Sequence, residues 1–218
     1  MLEIYKEKAR FLNKYEEFFR QNEIKCSLMW GITKKYDDLD LMISAENHHG
    51  FVLGVLAGKN LILVANTSDK TLYHELVHYM NQIDYPGIIG EKEHCQLYHK
   101  VYNSLTNKSM TVSMDQRIYA CNKASRRPQS IGKVRLAQEK DQAVLTTWAY
   151  QFSKEIGEEA KIEQSRKGVK NLIDKNKLYV LEVNQSLVSM TGRIRALDKT
   201  ESIGYVYTPV NQRKRGYA

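Results

Sequence analysis

Two apolar runs separated by a short polar turn constrain the fold of this chain more than any other feature. Residues 51–56 read FVLGVL, residues 61–65 read LILVA, and Ala57-Gly58-Lys59-Asn60 lies between them. Glycine and asparagine favour tight hairpin turns, and apolar runs of this length are typical of buried strands. The pattern predicts a β-hairpin over 50–65.

Helical and extended patterns alternate around this hairpin, which indicates an α/β unit in the first half of the chain. A helical spacing of apolar residues opens the chain over 2–22, and a short extended segment follows at 39–44. Beyond the hairpin, the periodicity predicts helices over 69–82 and 91–105, a short strand at Ile88-Ile89, and a strand over 111–121.

A segment without apolar periodicity separates this half from the next. Residues 122–132 contain Pro128, Gly132 and several small polar residues, a composition typical of linkers. We therefore predict domains at 1–125 and 133–218, with a linker at 126–132. The second domain shows the order β-α-α-β-β-β. Its predicted elements are a strand at 134–137, helices at 139–155 and 157–176, and strands at 178–183, 187–196 and 202–207.

The composition excludes several classes of protein. No run of about 18 apolar residues is present, and the opening residues mix acids with bases, so we expect a cytoplasmic protein without a membrane segment. Cys26, Cys95 and Cys121 are few and far apart, which favours reduced thiols over a disulfide framework.

The positive charge points to one local anion site. The 218 residues carry a formal charge of +8, and most bases are scattered among acids, as on solvated helix faces. The exception is the uninterrupted cluster of Arg213, Lys214 and Arg215. Phosphate groups are the anions that such clusters bind, so we expect a phosphate-bearing small molecule and no nucleic acid.

The C-terminal segment has the chemistry that a pyrophosphate requires. Residues 205–218 read YVYTPVNQRKRGYA, an extended strand that runs into a basic loop. Gly216 leaves room for a backbone approach, and the small Ala218 permits a tight turn. The segment resembles the Gcn5-related N-acetyltransferases (the GNAT family), whose fourth strand ends in V-Y/T-x-P and whose next loop reads R/Q-x-x-G-x-G/A. Arg213, Gly216 and Ala218 match this loop in register.

The resemblance covers about residues 133–218 and implies a fold, a cofactor and a reaction. It implies an α/β fold with a mixed sheet (α+β), similar to that of the acyl-CoA N-acyltransferases. It also implies two such units in tandem, of which the first is degenerate and binds no cofactor. It also implies transfer of acetyl from acetyl-CoA to a small-molecule or peptide amine; a homo-oligomer is left open. The implied cofactor-binding residues are Val206, Tyr207 and Thr208 beside the pantetheine arm, and Arg213, Lys214, Arg215, Gly216, Tyr217 and Ala218 around the pyrophosphate.

The sequence departs from the family pattern after Ala218. The family continues with a helix, a strand, a second helix that carries a tyrosine general acid, and a last strand. The resemblance therefore implies an incomplete C-terminal domain, truncated after the pyrophosphate loop and weak or inactive as it stands. Glu182 and Glu201 are the carboxylates available as a general base, and neither is favoured over a surface role.

Two alternatives belong to other functional classes. The first is a zinc metalloprotease: His74-Glu75-Leu76-Val77-His78 matches H-E-x-x-H, in which two histidines one helical turn apart bind zinc and the glutamate activates water. However, a helical wheel places both histidines opposite the apolar stripe, which favours a solvent-facing surface. Only Glu91, Glu93 or His94 could supply a third ligand. The other alternative is a non-catalytic binding module on a decayed acetyltransferase fold.

Overall fold

The computed structural model describes residues 1–58, 60–123, 132–159 and 161–217. The chain divides into two compact units, Met1–Ala120 and Cys121–Ala218. Both combine helices with a β-sheet, so the chain belongs to the mixed α/β class. The division falls at 120/121, and most of the expected linker lies outside the described residues.

A five-stranded mixed sheet forms the centre of the first unit. Its strands follow the order β1-β2-β3-β4-β5, and all neighbours are antiparallel except β4 and β5, which are parallel. The predicted hairpin is confirmed as β3 and β4, which pair from Val52↔Ala65 to Ala57↔Asn60. The strands are β1 (Leu2–Ile4), β2 (Leu41–Asn47), β3 (Gly50–Ala57), β4 (Asn60–Ala65) and β5 (Gly87–Gly90).

Helices cover both faces of this sheet. Successive side chains of β2 point to opposite faces of the sheet. On one face, Ile43 and Ala45 pack in the cluster that contains the apolar residues of the third and fourth helices. On the opposite face the Ser44 hydroxyl lies 3.1 Å from the Tyr5 hydroxyl, which also meets Tyr15 of the first helix. The helices are α1 (Lys8–Gln21), α2 (Glu23–Lys35), α3 (Lys70–Met80) and α4 (Lys92–Thr106).

Three expectations for this unit were wrong. The opening segment begins as strand β1, because Leu2 and Ile4 pair with β2, about forty residues away in the chain. Helix α2 was missed because its apolar residues surround the helix without forming one stripe. Residues 111–121 form no strand: Val112 and Tyr119 are 84% and 87% exposed, so no burial supports their β propensity.

The second unit contains a four-stranded sheet, antiparallel throughout, in the order β6-β7-β8-β9. Its elements agree with the predicted β-α-α-β-β-β order, although the second helix begins later than expected. Asn184 and Gln185 both adopt positive φ angles in the turn between β7 and β8, as a two-residue hairpin turn requires. The elements are β6 (Lys133–Leu136), α5 (Gln142–Glu155), α6 (Ile162–Asp174), β7 (Leu178–Val183), β8 (Ser186–Ala196) and β9 (Glu201–Tyr207).

Helices α5 and α6 pack on one face of the second sheet. Leu145, Trp148 and Val169 meet the strand residues Val180 and Met190 in a single buried cluster. The other face exposes apolar side chains of the strands among the described residues. Val134 of β6 is 61% exposed and Ile203 of β9 is 60% exposed.

The two units repeat the same element order. Strand, helix, helix and three strands follow one another as β1-α1-α2-β2-β3-β4 and again as β6-α5-α6-β7-β8-β9. The first unit then continues with α3, β5 and α4. Strand β9 therefore corresponds to β4, so its loop corresponds to residues 66–69.

Candidate functional site

The predicted cofactor segment begins with an irregular strand at the edge of a sheet. Among the described residues β9 pairs with β8 alone. Gly204 pairs with Gly192 and Tyr207 pairs with Met190, so Tyr205 and Val206 together oppose one residue of β8. Tyr205 adopts φ +52°, and this extra residue is a β-bulge. A bulge redirects backbone groups, and here it does so at an edge open to another extended chain.

The end of β9 is anchored through its backbone. Tyr207 and Thr208 are buried, at 4% and 9% exposure. The Ser189 hydroxyl on β8 donates to the Tyr207 carbonyl oxygen at 3.2 Å, and the Thr208 hydroxyl donates to Ser189 Oγ at 3.1 Å. The strand therefore enters the following loop from a defined position.

The loop after β9 turns twice through left-handed backbone. A 3₁₀ turn at Val210–Gln212 is followed by Lys214 at φ +63° and Gly216 at φ +75°. Apart from its neighbours in the chain, no described residue has an atom within 4 Å of the position that a Cβ would take at Gly216. Lys214 and Arg215 are exposed, and no ion pair with another described residue occupies either cation. The loop thus presents open backbone and two available positive charges.

The third cation of the cluster is engaged inside the unit. Arg213 donates through Nη2 to both carboxylate oxygens of Glu155, at 2.9 and 2.7 Å, and through Nε to the Thr208 carbonyl at 2.9 Å. Its guanidinium carbon lies 5.5 Å from the centre of the Tyr207 ring. Glu155 raises the pKa of Arg213 through these hydrogen bonds. The side chain joins the loop to the end of α5.

An open cavity of about 510 Å³ adjoins this ion pair. Gln151, Lys154 and Glu155 of α5 line one side, and Tyr207 with residues 209–211 lines the other. The Tyr207 hydroxyl donates to Gln151 Oε1 at 3.0 Å and to Glu155 Oε1 at 3.3 Å. Burial, followed by the Glu155 charge, raises the pKa of Tyr207. The cavity therefore joins an apolar wall to a cluster of hydrogen-bonding groups.

The predicted cofactor-binding residues from Val206 to Tyr217 lie at the end of β9 and in the loop that follows it. Ala218, the last of them, lies outside the described residues. Tyr217 is partly buried. Sequence reasoning missed Gln151 and Glu155. These residues lie one turn apart at the end of α5 and more than fifty positions before the loop, and no local spacing connects them with Arg213.

Neither candidate general base is free. Glu182 accepts a hydrogen bond from Arg135 Nε at 2.7 Å. Glu201 pairs with Arg193 Nε, also at 2.7 Å. Both carboxylates therefore stabilise the sheet.

The zinc-type motif lies on the solvent side of α3. His74 and His78 are exposed, while Leu72, Leu76 and Met80 are buried, which confirms the orientation expected from the helical wheel. Within the ranges that the structure describes, no three His, Cys, Asp or Glu residues converge as metal ligands. His94, a suggested third ligand, is instead 2.7 Å from the Tyr73 hydroxyl through Nδ1.

Cys26, Cys95 and Cys121 are free thiols, as expected. Within the described ranges, no helix has the length and apolar character needed to cross a membrane. Comparisons of the chain with protein-family models, with curated proteins and with solved structures found no match.

Proposed function

We propose that this chain is an N-acetyltransferase of the GNAT type, and that β9 and the loop from Thr208 to Ala218 bind acetyl-CoA. One observation carries the proposal: a bulged edge strand leads directly into a cationic loop with an open left-handed glycine. These are the residues that carry the family motif. The β-α-α-β-β-β order before them also agrees with an acyl-CoA N-acyltransferase-like fold.

The strand supports recognition of an extended arm. Pantetheine contains amide groups, and amides can pair with the free edge of a sheet as an added strand would. The bulge at Tyr205 and Val206 releases β9 from regular pairing, so backbone donors and acceptors there can turn towards such an arm. The bonds from Ser189 and Thr208 hold the end of the strand in place.

The loop supports recognition of a pyrophosphate. Lys214 and Arg215 provide two exposed charges, and the space around Gly216 lets phosphate oxygens approach the main chain. A side chain at Gly216 would obstruct that approach and would also have to adopt a positive φ.

In the reaction, the amine nitrogen would attack the thioester carbonyl carbon of acetyl-CoA, so that a C–N bond forms, the C–S bond breaks and coenzyme A leaves as its thiol, which accounts for the proton that the amine gives up. The contribution of this chain would be to hold the arm along β9 and the phosphates at the loop. The amine must lose a proton before or during the attack. Because Glu182 and Glu201 are both ion-paired, neither is assigned as the base.

The first unit would act as a structural partner. Its counterpart loop, residues 66–69, carries Asp69 in place of a basic cluster, and this carboxylate caps α3 by accepting from the Thr71 amide at 2.9 Å. Ligands of open α/β sheets bind beyond the carboxyl ends of parallel strands. In this unit Tyr73 bridges that region, because its hydroxyl donates to the Thr67 carbonyl at 3.2 Å and contacts His94.

Calorimetric titration with acetyl-CoA tests the proposal directly. The wild-type chain should bind with one site per molecule, and Gly216→Asp should weaken binding by about tenfold or more because it places a carboxylate against the phosphates. Gly58→Asp is the matched control: Gly58 lies in the first unit at φ +74° and also has open space around its Cβ position. Equal effects of the two substitutions, or no binding by the wild type, would refute the assignment.

A further inference from the structure

The guanidinium of Arg213 is bound by the Glu155 carboxylate. The next residues of the chain, Lys214 and Arg215, are exposed cations. We propose that Arg213 exchanges partners: Glu155 holds it in the free protein, and the phosphates of the ligand take it over. This inference rests on the proposed function, since it requires a phosphate-bearing ligand at the loop.

The ion pair with Glu155 is suited to such an exchange. Its side chains are 41% and 44% exposed, and pairs accessible to water are weak because solvent screens their attraction. The backbone around Arg213 does not depend on the pair, since Thr208 remains bonded to Ser189 and Gln212 to the Pro209 carbonyl. A rotation of the Arg213 side chain, which also releases the Nε bond to the Thr208 carbonyl, therefore suffices.

A pyrophosphate is the stronger partner for the guanidinium. It carries more charge than a carboxylate and accepts the two parallel hydrogen bonds that an arginine fork donates. Lys214 and Arg215 would attract the anion to positions one and two residues from Arg213. The arginine would then complete a cluster of three cations.

The exchange changes the charge of the neighbouring cavity. Glu155 lines the cavity together with Gln151 and Tyr207, and in this structure Arg213 neutralises it. Once the guanidinium moves to phosphate, the Glu155 carboxylate is left facing the cavity. A protonated amine would then find an unpaired carboxylate there, so binding of the phosphate ligand would strengthen binding of the amine. Thermodynamic linkage makes this coupling reciprocal.

Glu155→Gln tests whether Glu155 and the ligand phosphates compete for Arg213, as distinct from the general effect of removing one negative charge. The variant lacks the charge that retains Arg213, so calorimetry at low salt should show coenzyme A binding about two- to fivefold tighter, the effect of one exposed ion pair. Glu158→Gln is the control, because it removes the same charge from an exposed position three residues away. Glu155→Asp, which keeps the charge but shortens the side chain, should also tighten binding.

A second experiment repeats these substitutions in an Arg213→Gln background. Without the guanidinium, Glu155→Gln should change the affinity for coenzyme A no more than Glu158→Gln does. The exchange is overturned if coenzyme A binds but Glu155→Gln and Glu158→Gln change its affinity equally, or if the Glu155 effect persists without Arg213; either result leaves the proposed function intact. Absence of coenzyme A binding by the wild type and every variant would remove both proposals.

Discussion

Replacement of Asp141 by asparagine probes the buried ion pair at the start of α5. Asp141 is 6% exposed and accepts from Arg135 at 2.7 and 3.1 Å and from the Gln138 amide at 2.8 Å. Arg135 also donates to Glu182. The Asp141 carboxylate thus connects β6 with the 3₁₀ turn at Glu139–Asp141, and Arg135 extends the network to β7.

The expected cost follows from these bonds. Removal of one partner of a buried pair costs about 3–5 kcal/mol, because the other charge is left buried. Asparagine keeps one acceptor oxygen and Glu182 still holds Arg135, so we expect about 2–3 kcal/mol. With a urea dependence of about 1 kcal/mol per molar for a unit of this size, the midpoint should fall by about 2–3 M.

Tryptophan fluorescence can assign the loss to one unit. The chain has two tryptophans, Trp30 in the first unit and Trp148 in the second. In a Trp30→Phe background, urea unfolding reports the second unit through Trp148. Asp174→Asn, which breaks an exposed pair with Lys170, is the control and should leave the midpoint unchanged. A midpoint for Asp141→Asn equal to that of the control would refute the reasoning.

The ion pair also predicts a pH dependence. Arg135 lowers the pKa of Asp141 in the folded protein. The stabilisation is therefore fully present above the unfolded-state pKa of about 3.9 and is lost as the pH falls through the lower folded value. The midpoint difference between wild type and Asp141→Asn should shrink over that acidic range. A difference that stays constant to pH 2 would contradict the linkage.

Three further predictions concern the first unit, each measured by urea unfolding through Trp30. Gly50→Ala should cost about 2 kcal/mol or more, because the residue has φ +135° and an added Cβ would clash with Asn66 Oδ1. An unchanged midpoint would contradict this. Leu76→Ala should cost about 3–4 kcal/mol by leaving a cavity between α3 and the sheet, and a loss below 1 kcal/mol would show that the site collapses. Burial lowers the pKa of His94 in the folded protein. The free energy of unfolding should therefore decline as the pH falls below about 6.5, the unfolded-state pKa of histidine, and should level off below the folded pKa. A wild-type profile as flat as that of His94→Gln would exclude this linkage.

Elements whose signals are local could be predicted from the sequence. The hairpin of β3 and β4, the core-facing stripe of α3 and the three strands that close the second unit depend on alternation, helical periodicity and turn residues within a short window. The exposure of His74 and His78 followed from the same periodicity. The motif from Val206 to Ala218 also indicated a candidate site, with the expected strand and loop now described as far as Tyr217.

Contacts between distant residues were decided only by the tertiary structure. Strand β1 forms because it pairs with residues about forty positions away, and its own three residues could equally extend a helix. The parallel pairing of β4 with β5 and the capture of Arg213 by Glu155 likewise join segments that share no local pattern. Side-chain periodicity specifies which face of an element is apolar, but the partner of that face is set by the packing of the whole unit.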